Sequence, residues 1–212
     1  MTKIILFDFW GTLVENGVWS PIKQVRNILG IRIPFSEYVV RMERAMMIKK
    51  YSNLREAFEA VSGEFSIPID NYKIEKLVGL WNKSWMLAQP YPEVKEILTK
   101  LKKKYKLVLV SNTDPFSIEN VLEKFDLKGL FDQNFLSYQI GQIKSDPEFF
   151  KQILKELNVD KEDCVMVGDS IQSDIIPAKR LEIKAILVDR RNSRDYHPKI
   201  KNLQELEKVL SI

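Results

Sequence analysis

Four short apolar runs constrain this chain more than any other feature: Ile4 to Phe9, Leu107 to Val110, Cys164 to Val167 and Ala185 to Val188. Each is rich in β-formers and too short for a free-standing helix, so each reads as a buried parallel strand. Helical periods fill the intervals: Val94, Ile97, Leu98 and Leu101; Ile118, Val121, Leu122 and Phe125; Phe150, Ile153, Leu154 and Leu157. Alternation of this kind predicts an α/β fold, a Rossmann-like parallel sheet covered by helices. Ser145 and Glu148 stand at capping-box spacing around Pro147, which predicts a helix start just after Lys144 and a loop that presents Lys144. Leu203, Leu206 and Leu210 predict a docked helix closing the chain.

The stretch 15–89 has helical periods and no convincing strand, and it reads as an all-helical insertion into a core made of 1–14 and 90–212. Ser20-Pro21 opens a first helix that Gly30 ends, and Phe35, Val39, Met42 and Met46 mark a second. Leu54, Ala57, Phe58 and Val61 form a third, ending near Gly63. Asp70 caps a fourth through Ile74, Leu77, Val78, Trp81 and Trp85. Gln89-Pro90-Tyr91-Pro92 punctuates the return to the core.

With 212 residues, one core carrying a modest insertion is the natural size. A hydrophobic fraction of 45% and a charged fraction of 29% are those of an ordinary globular chain. The net charge of +4 is mild and spread out, which gives no support to nucleic-acid binding. The single cysteine, Cys164, allows no internal disulfide, and with one histidine, His197, there is no Cys/His zinc site. Asp8 interrupts the first apolar run and no stretch of membrane-spanning length exists, so a cytoplasmic location without a membrane partner is expected. Oligomeric state is left open.

Ligands of an open parallel sheet sit outside the carboxyl ends of its strands, and here those ends are polar. The first run ends in Asp8-Phe9-Trp10-Gly11-Thr12, the second in Ser111-Asn112-Thr113, the third in Gly168-Asp169-Ser170, with Asp174 just beyond. Three carboxylates gathered on one edge repel each other and need a cation; an all-oxygen donor set favours Mg²⁺.

These segments, in order and spacing, resemble the four motifs of the haloacid dehalogenase superfamily across nearly the whole chain. The resemblance implies Asp8 as a carboxylate nucleophile, and it sets Gly11 and Thr12, with Trp10 and Asn112, around the substrate. Ser111 would bind the transferring phosphoryl group, and Lys144 would screen the carboxylates. Asp169 and Asp174 would hold Mg²⁺ with Asp8 and the backbone carbonyl of Trp10. The helical insertion would be the family's cap, closing over the site and selecting a small phosphorylated substrate.

One position departs from the pattern. Phosphatases of the family carry a second aspartate two residues after the nucleophile, to protonate the leaving group and activate water; here it is Trp10. Indole cannot shuttle a proton, so a contribution of about 10²–10⁴ in rate is expected to be missing, least felt with acyl, aryl or anhydride phosphates. The family's 2-haloacid dehalogenases also place an aromatic there, and a halogenated substrate is the competing reading. They need no metal and have an uncharged residue where Asp169 stands, so the charge balance favours phosphate and Mg²⁺. A metal-binding module without catalysis is the third reading. Leu181-Glu182 stands where the family commonly has a glycine before the last strand, and a different local backbone is expected there. Cys164 reads as buried filler, His197 as a surface residue, Trp81 and Trp85 as packing, and Asp189-Arg190-Arg191 as a salt-bridge cluster.

Overall fold

Alternate residues of the first strand point to opposite faces of the sheet, Ile5 and Phe7 into one apolar layer and Ile4 and Leu6 into another. A strand buried on both sides must be flanked by helices on both sides, and the computed structural model, which describes residues 2–210, has this arrangement. The chain runs β1 (Ile4–Phe7), β2 (Val14–Glu15), then the helices α1 (Pro21–Leu29), α2 (Phe35–Met47), α3 (Leu54–Glu64) and α4 (Asn71–Met86). It returns through β3 (Gln89–Pro90), α5 (Val94–Leu101), β4 (Lys106–Ser111), α6 (Pro115–Lys124), β5 (Gln133–Leu136) and α7 (Ser137–Ile140). It ends with α8 (Pro147–Leu157), β6 (Cys164–Gly168), α9 (Ile176–Arg180), β7 (Lys184–Val188), β8 (Lys199–Ile200) and α10 (Leu206–Leu210). Met1, Ser211 and Ile212, the ends of the core expected from sequence, lie outside the described residues.

The main sheet is parallel, in the order β5-β4-β1-β6-β7-β8. β1 is central. The chain first winds to one side through β4 and β5 and then crosses to β6, so the strand order reverses at β1, where an open sheet leaves a crevice. Ile118, Val121, Leu122, Leu203 and Leu206 cover one face of the sheet; Phe149, Phe150, Ile153 and Ala178 cover the other.

The sheet has two strands that sequence reading does not find, β5 and β8. β5 begins Gln133-Asn134 and lies at an edge, so it lacks the continuous apolar run of a central strand; β8 has two residues. The first strand also ends at Phe7 rather than Phe9, although the Asp8 amide still donates to the Val167 carbonyl at 2.9 Å. Two expected caps are absent. Asp146, not Ser145, precedes α8, and it accepts from the Ile143 amide at 3.0 Å; the Ser145 hydroxyl is buried without a partner among the described residues. Ser20 precedes α1 but its hydroxyl makes no capping bond. Asp70 does cap α4, accepting from the Lys73 amide at 2.7 Å.

The helices α1 to α4 have an apolar centre of their own, which includes Tyr38, Met42, Met46, Phe58, Leu77 and Trp81. They stand on the antiparallel ribbon β2–β3, in which Val14 pairs with Pro90 and Glu15 with Gln89. Three polar links tie them to the strand ends below: Trp81 Nε1 donates to Asp114 Oδ2 at 2.8 Å, Asn112 Nδ2 to Glu43 Oε2 at 2.8 Å, and Arg44 pairs with Asp146.

Candidate active site

Asp8 follows β1 directly and is buried, with both carboxylate oxygens engaged. Lys144 Nζ donates to Oδ1 at 2.6 Å and the Thr12 hydroxyl to Oδ2 at 2.8 Å. The turn after β1 makes the second bond feasible: Gly11 at φ +81° reverses the chain, and the Leu13 amide closes on the Phe9 carbonyl at 2.9 Å. Thr12, expected from sequence beside the substrate, is wholly buried and is not among the residues lining the cavity; its hydroxyl bonds Asp8.

The second acidic pair comes from β6. Ser170 caps a π-helical turn over Ile171–Ile175, accepting from the Ser173 amide at 3.1 Å. A π turn closes on the fifth residue instead of the fourth, which brings Asp174 back beside Asp169; the Ser170 amide fixes Asp174 Oδ2 at 2.9 Å. Two glycines make room. A Cβ on Gly11 would lie 2.5 Å from Asp169 Oδ2, and one on Gly168 would overlap the Asp174 carboxylate.

Asp8, Asp169 and Asp174 each offer a carboxylate oxygen within 4.8 Å of the others. Burial first, and then repulsion from Asp8, push the Asp169 and Asp174 carboxyls well above the usual range. Lys144, also paired with Asp174, supplies the cation that holds the cluster together. Burial alone would depress its ammonium, but Asp174 and Asp8 outweigh that and raise its pKa. Three carboxylates against one ammonium leave two negative charges, which one divalent cation held by oxygen donors would neutralise.

Ser111 ends β4 fully buried, 3.5 Å from the Asn112 carbonyl, and it does not line the cavity. Asn112 is the hinge between the two halves of the site. Its Oδ1 accepts from the Lys144 amide at 2.8 Å, and its Nδ2 holds Glu43 of α2. The half-buried Trp10 donates its indole N–H to Thr113 Oγ1 at 3.1 Å and stacks edge-on against Phe9. The cavity above measures about 1090 Å³ and is lined by Trp10, Glu43, Trp85, Lys144, Asp169 and Arg191 among others.

Sequence reading misses Glu43, Asp114 and Arg194. Glu43 has a signal in retrospect, since it interrupts the apolar stripe Val39, Met42, Met46 at helical spacing. Asp114 caps α6 and accepts from Trp81 and Ser117; burial pushes its carboxyl up, against those bonds. Arg194 donates to the Asp169 carbonyl. Trp81 packs edge-on against Phe58, and Trp81, Trp85 and the exposed Trp19 all line the cavity. Arg190 is tied down by Glu93 and the Thr12 carbonyl with its guanidinium over Tyr91, while His197 is exposed and Cys164 buried.

The chain belongs to the haloacid dehalogenase-like hydrolases, whose family pattern it matches over residues 2–181, and it is an enzyme of that family. It is 25% identical to the glyceraldehyde 3-phosphate phosphatase of Pyrococcus abyssi over 192 residues, 88% of this chain and 81% of the relative. A haloacid dehalogenase-family phosphatase from Thermococcus onnurineus superposes with a TM-score of 0.63 at 25% identity, covering 99% of this chain and 98% of that one. A 2-haloacid dehalogenase from Pseudomonas syringae has the same fold, with a TM-score of 0.64 at 20% identity over 100% and 99% of the two chains. No helix among the described residues is long and apolar enough to cross a membrane.

Proposed function

We propose that this chain is a Mg²⁺-dependent phosphatase of small phosphorylated molecules, working through an aspartyl-phosphate on Asp8. The observation that carries this reading is the charge set beneath the cavity: a buried Asp8, oriented by Thr12 and Lys144, beside an acidic pair that a divalent cation would neutralise. Asp8, Asp169, Asp174 and the Trp10 carbonyl would hold the ion, which when bound screens charge on the phosphoryl oxygens. An Asp8 oxygen attacks phosphorus, the ester P–O bond breaks, and water later attacks the same phosphorus to release phosphate and free Asp8. Lys144, which lines the cavity, would bind the transferring group, with Ser111 buried behind it at the end of β4. The segment 15–89 would serve as a cap over a core made of 1–14 and 90–212, and its cavity wall would choose the substrate. Phosphatase-named relatives support this chemistry.

The dehalogenase reading has Trp10 in its favour, an aromatic in the first motif. It fails on charge, because a 2-haloacid anion entering beside Asp169 and Asp174 with no metal would meet a strongly negative pocket. The deciding experiment gives purified protein glyceraldehyde 3-phosphate, para-nitrophenyl phosphate, acetyl phosphate and 2-chloropropionate, each with Mg²⁺ and with EDTA. Metal-dependent phosphate release is expected. EDTA-insensitive halide release, or silence on every substrate, would end the phosphatase reading.

A further inference from the structure

We infer that Glu43, lowered onto the site by α2, is the proton donor and acceptor of the reaction, taking over the duty that Trp10 cannot perform; this rests on the phosphatase reading above.

Burying a carboxylate on the apolar stripe of a helix is costly, and acidic side chains are seldom buried without a cationic partner. Glu43 is 7% exposed, yet among the described residues its one side-chain hydrogen bond is from a neutral amide, Asn112 Nδ2 at 2.8 Å. A glutamine would satisfy that amide equally well, so the bond does not account for a charge at this position. Oε1 has no hydrogen-bond partner among the described residues, and the residue lines the same cavity as Asp8 and Lys144.

The cavity's other free carboxyls are poorly placed for the task. Glu15 is exposed, Asp114 is taken by Trp81 and Ser117, and Asp189 by the Ser193 and Arg194 amides and Lys199. The charged groups facing Glu43 are Lys144, which favours its ionised form, and Asp174 and Asp8, which oppose it. Burial, joined by Asp174 and Asp8, outweighs Lys144 and the Asn112 bond and pushes the carboxyl up to about 7, where it can hold a proton and release it near neutral pH. Trp10, by contrast, has no proton to transfer and its N–H is committed to Thr113.

As Asp8 attacks and the P–O ester bond breaks, the Glu43 proton passes to the departing oxygen, giving a neutral alcohol and a Glu43 carboxylate. In the second half, water attacks the aspartyl-phosphate, its proton returns to Glu43, and the Asp8–phosphorus link breaks to leave phosphate and the starting enzyme.

The test is Glu43→Gln, compared with wild type in Mg²⁺ on glycerol phosphate, whose alkoxide leaves poorly, and on acetyl phosphate, whose carboxylate leaves without a proton. Turnover of glycerol phosphate should fall by about 10²–10⁴-fold. With acetyl phosphate the variant should still form the phosphoenzyme at the wild-type rate and then accumulate it, detectable by acid quench and mass spectrometry. Adding Trp10→Asp to Glu43→Gln should restore part of the glycerol phosphate activity. An unchanged ratio of alkyl to acyl turnover, with no phosphoenzyme build-up, would overturn the inference. Should the glutamine variant not fold, Glu43→Asp serves in its place, since retracting the carboxyl must also lower that ratio. Wild-type protein that releases phosphate from neither compound would sink the phosphatase reading itself, and this inference with it.

Discussion

Where the floor of the cavity is charge gathered at strand ends, its roof is an apolar helical layer that lowers single polar groups onto the strand ends below. On the floor, Asp8, Asp169 and Asp174 surround Lys144, and every charge there depends on the others. In the roof, Glu43 meets an amide, and Trp81 reaches down to Asp114, which is otherwise bonded to Ser117. The difference teaches a division of labour. Altering the floor should change whether the reaction occurs, and altering the roof should change proton transfer and closure.

The largest expected effect is on the floor. Asp8→Asn keeps shape and can still meet Thr12, but it removes the nucleophile; phosphate release should fall by at least about 10⁴-fold, with no trapped phosphoenzyme and an unchanged circular dichroism spectrum. Next is Gly168→Ala, whose methyl must displace the Asp174 carboxylate. Magnesium affinity measured by calorimetry should weaken by about 10–100-fold, the scale seen when a ligand loses its support. If calorimetry finds wild-type affinity in that variant, the floor is not the metal site.

The roof is tested by pH. Glu43 has its carboxyl raised from 4.5 to about 7 by burial, so between those values the folded protein binds more protons than the unfolded chain, and this group erodes stability as pH rises. The full cost, about 3 kcal/mol, is reached above the folded value. Asp169 and Asp174 are raised too, but they are common to both proteins when wild type and Glu43→Gln are compared in EDTA. The variant should therefore gain on wild type in urea unfolding between about pH 5 and pH 8. A difference that does not change with pH would mean that Glu43 is not held protonated by its surroundings. Smaller again is Trp81→Phe, which keeps the ring against Phe58 but strips Asp114 of one donor; a loss of about 1–3 kcal/mol is expected in the same assay.

The two halves were also unequally legible in the sequence. Floor residues fall where strands end, and both the strands and the polar residues that close them are local patterns; Asp8, Ser111, Asp169 and Asp174 can be picked out before any fold is known. What local pattern cannot supply is direction. Thr12 and Ser111 turn out to be buried rather than lining the cavity, the Thr12 hydroxyl spent on Asp8 and the Ser111 hydroxyl beside the Asn112 carbonyl. The roof was legible as four helices only. Which helical residue faces the site depends on how α2 docks, a long-range fact, and Glu43 announced itself only as a charge out of place in an apolar stripe. β5 was lost for a similar reason: an edge strand opening in Gln133-Asn134 has no run of apolar residues, and its pairing with β4 is what defines it.

The smallest effect concerns the floor's framework, at the turn where the family commonly has a glycine and this chain has Leu181-Glu182. Glu182 sits at φ +58°, its amide donating to the Lys179 carbonyl at 2.9 Å and the next amide, of Ile183, to the Ala178 carbonyl at 3.0 Å. Those paired bonds end α9 in the manner of a helix terminated by a left-handed residue, the conformation that glycine takes most readily. The side chain is exposed and pairs with Lys161 in solvent, which contributes little. Glu182→Gly should therefore relieve the left-handed strain at the expense of a weak ion pair and some unfolded-chain entropy, raising the thermal midpoint by less than about 4 °C. Catalysis should be untouched. A clear fall in the midpoint would show that the Lys161 pair, and not the backbone, governs this turn.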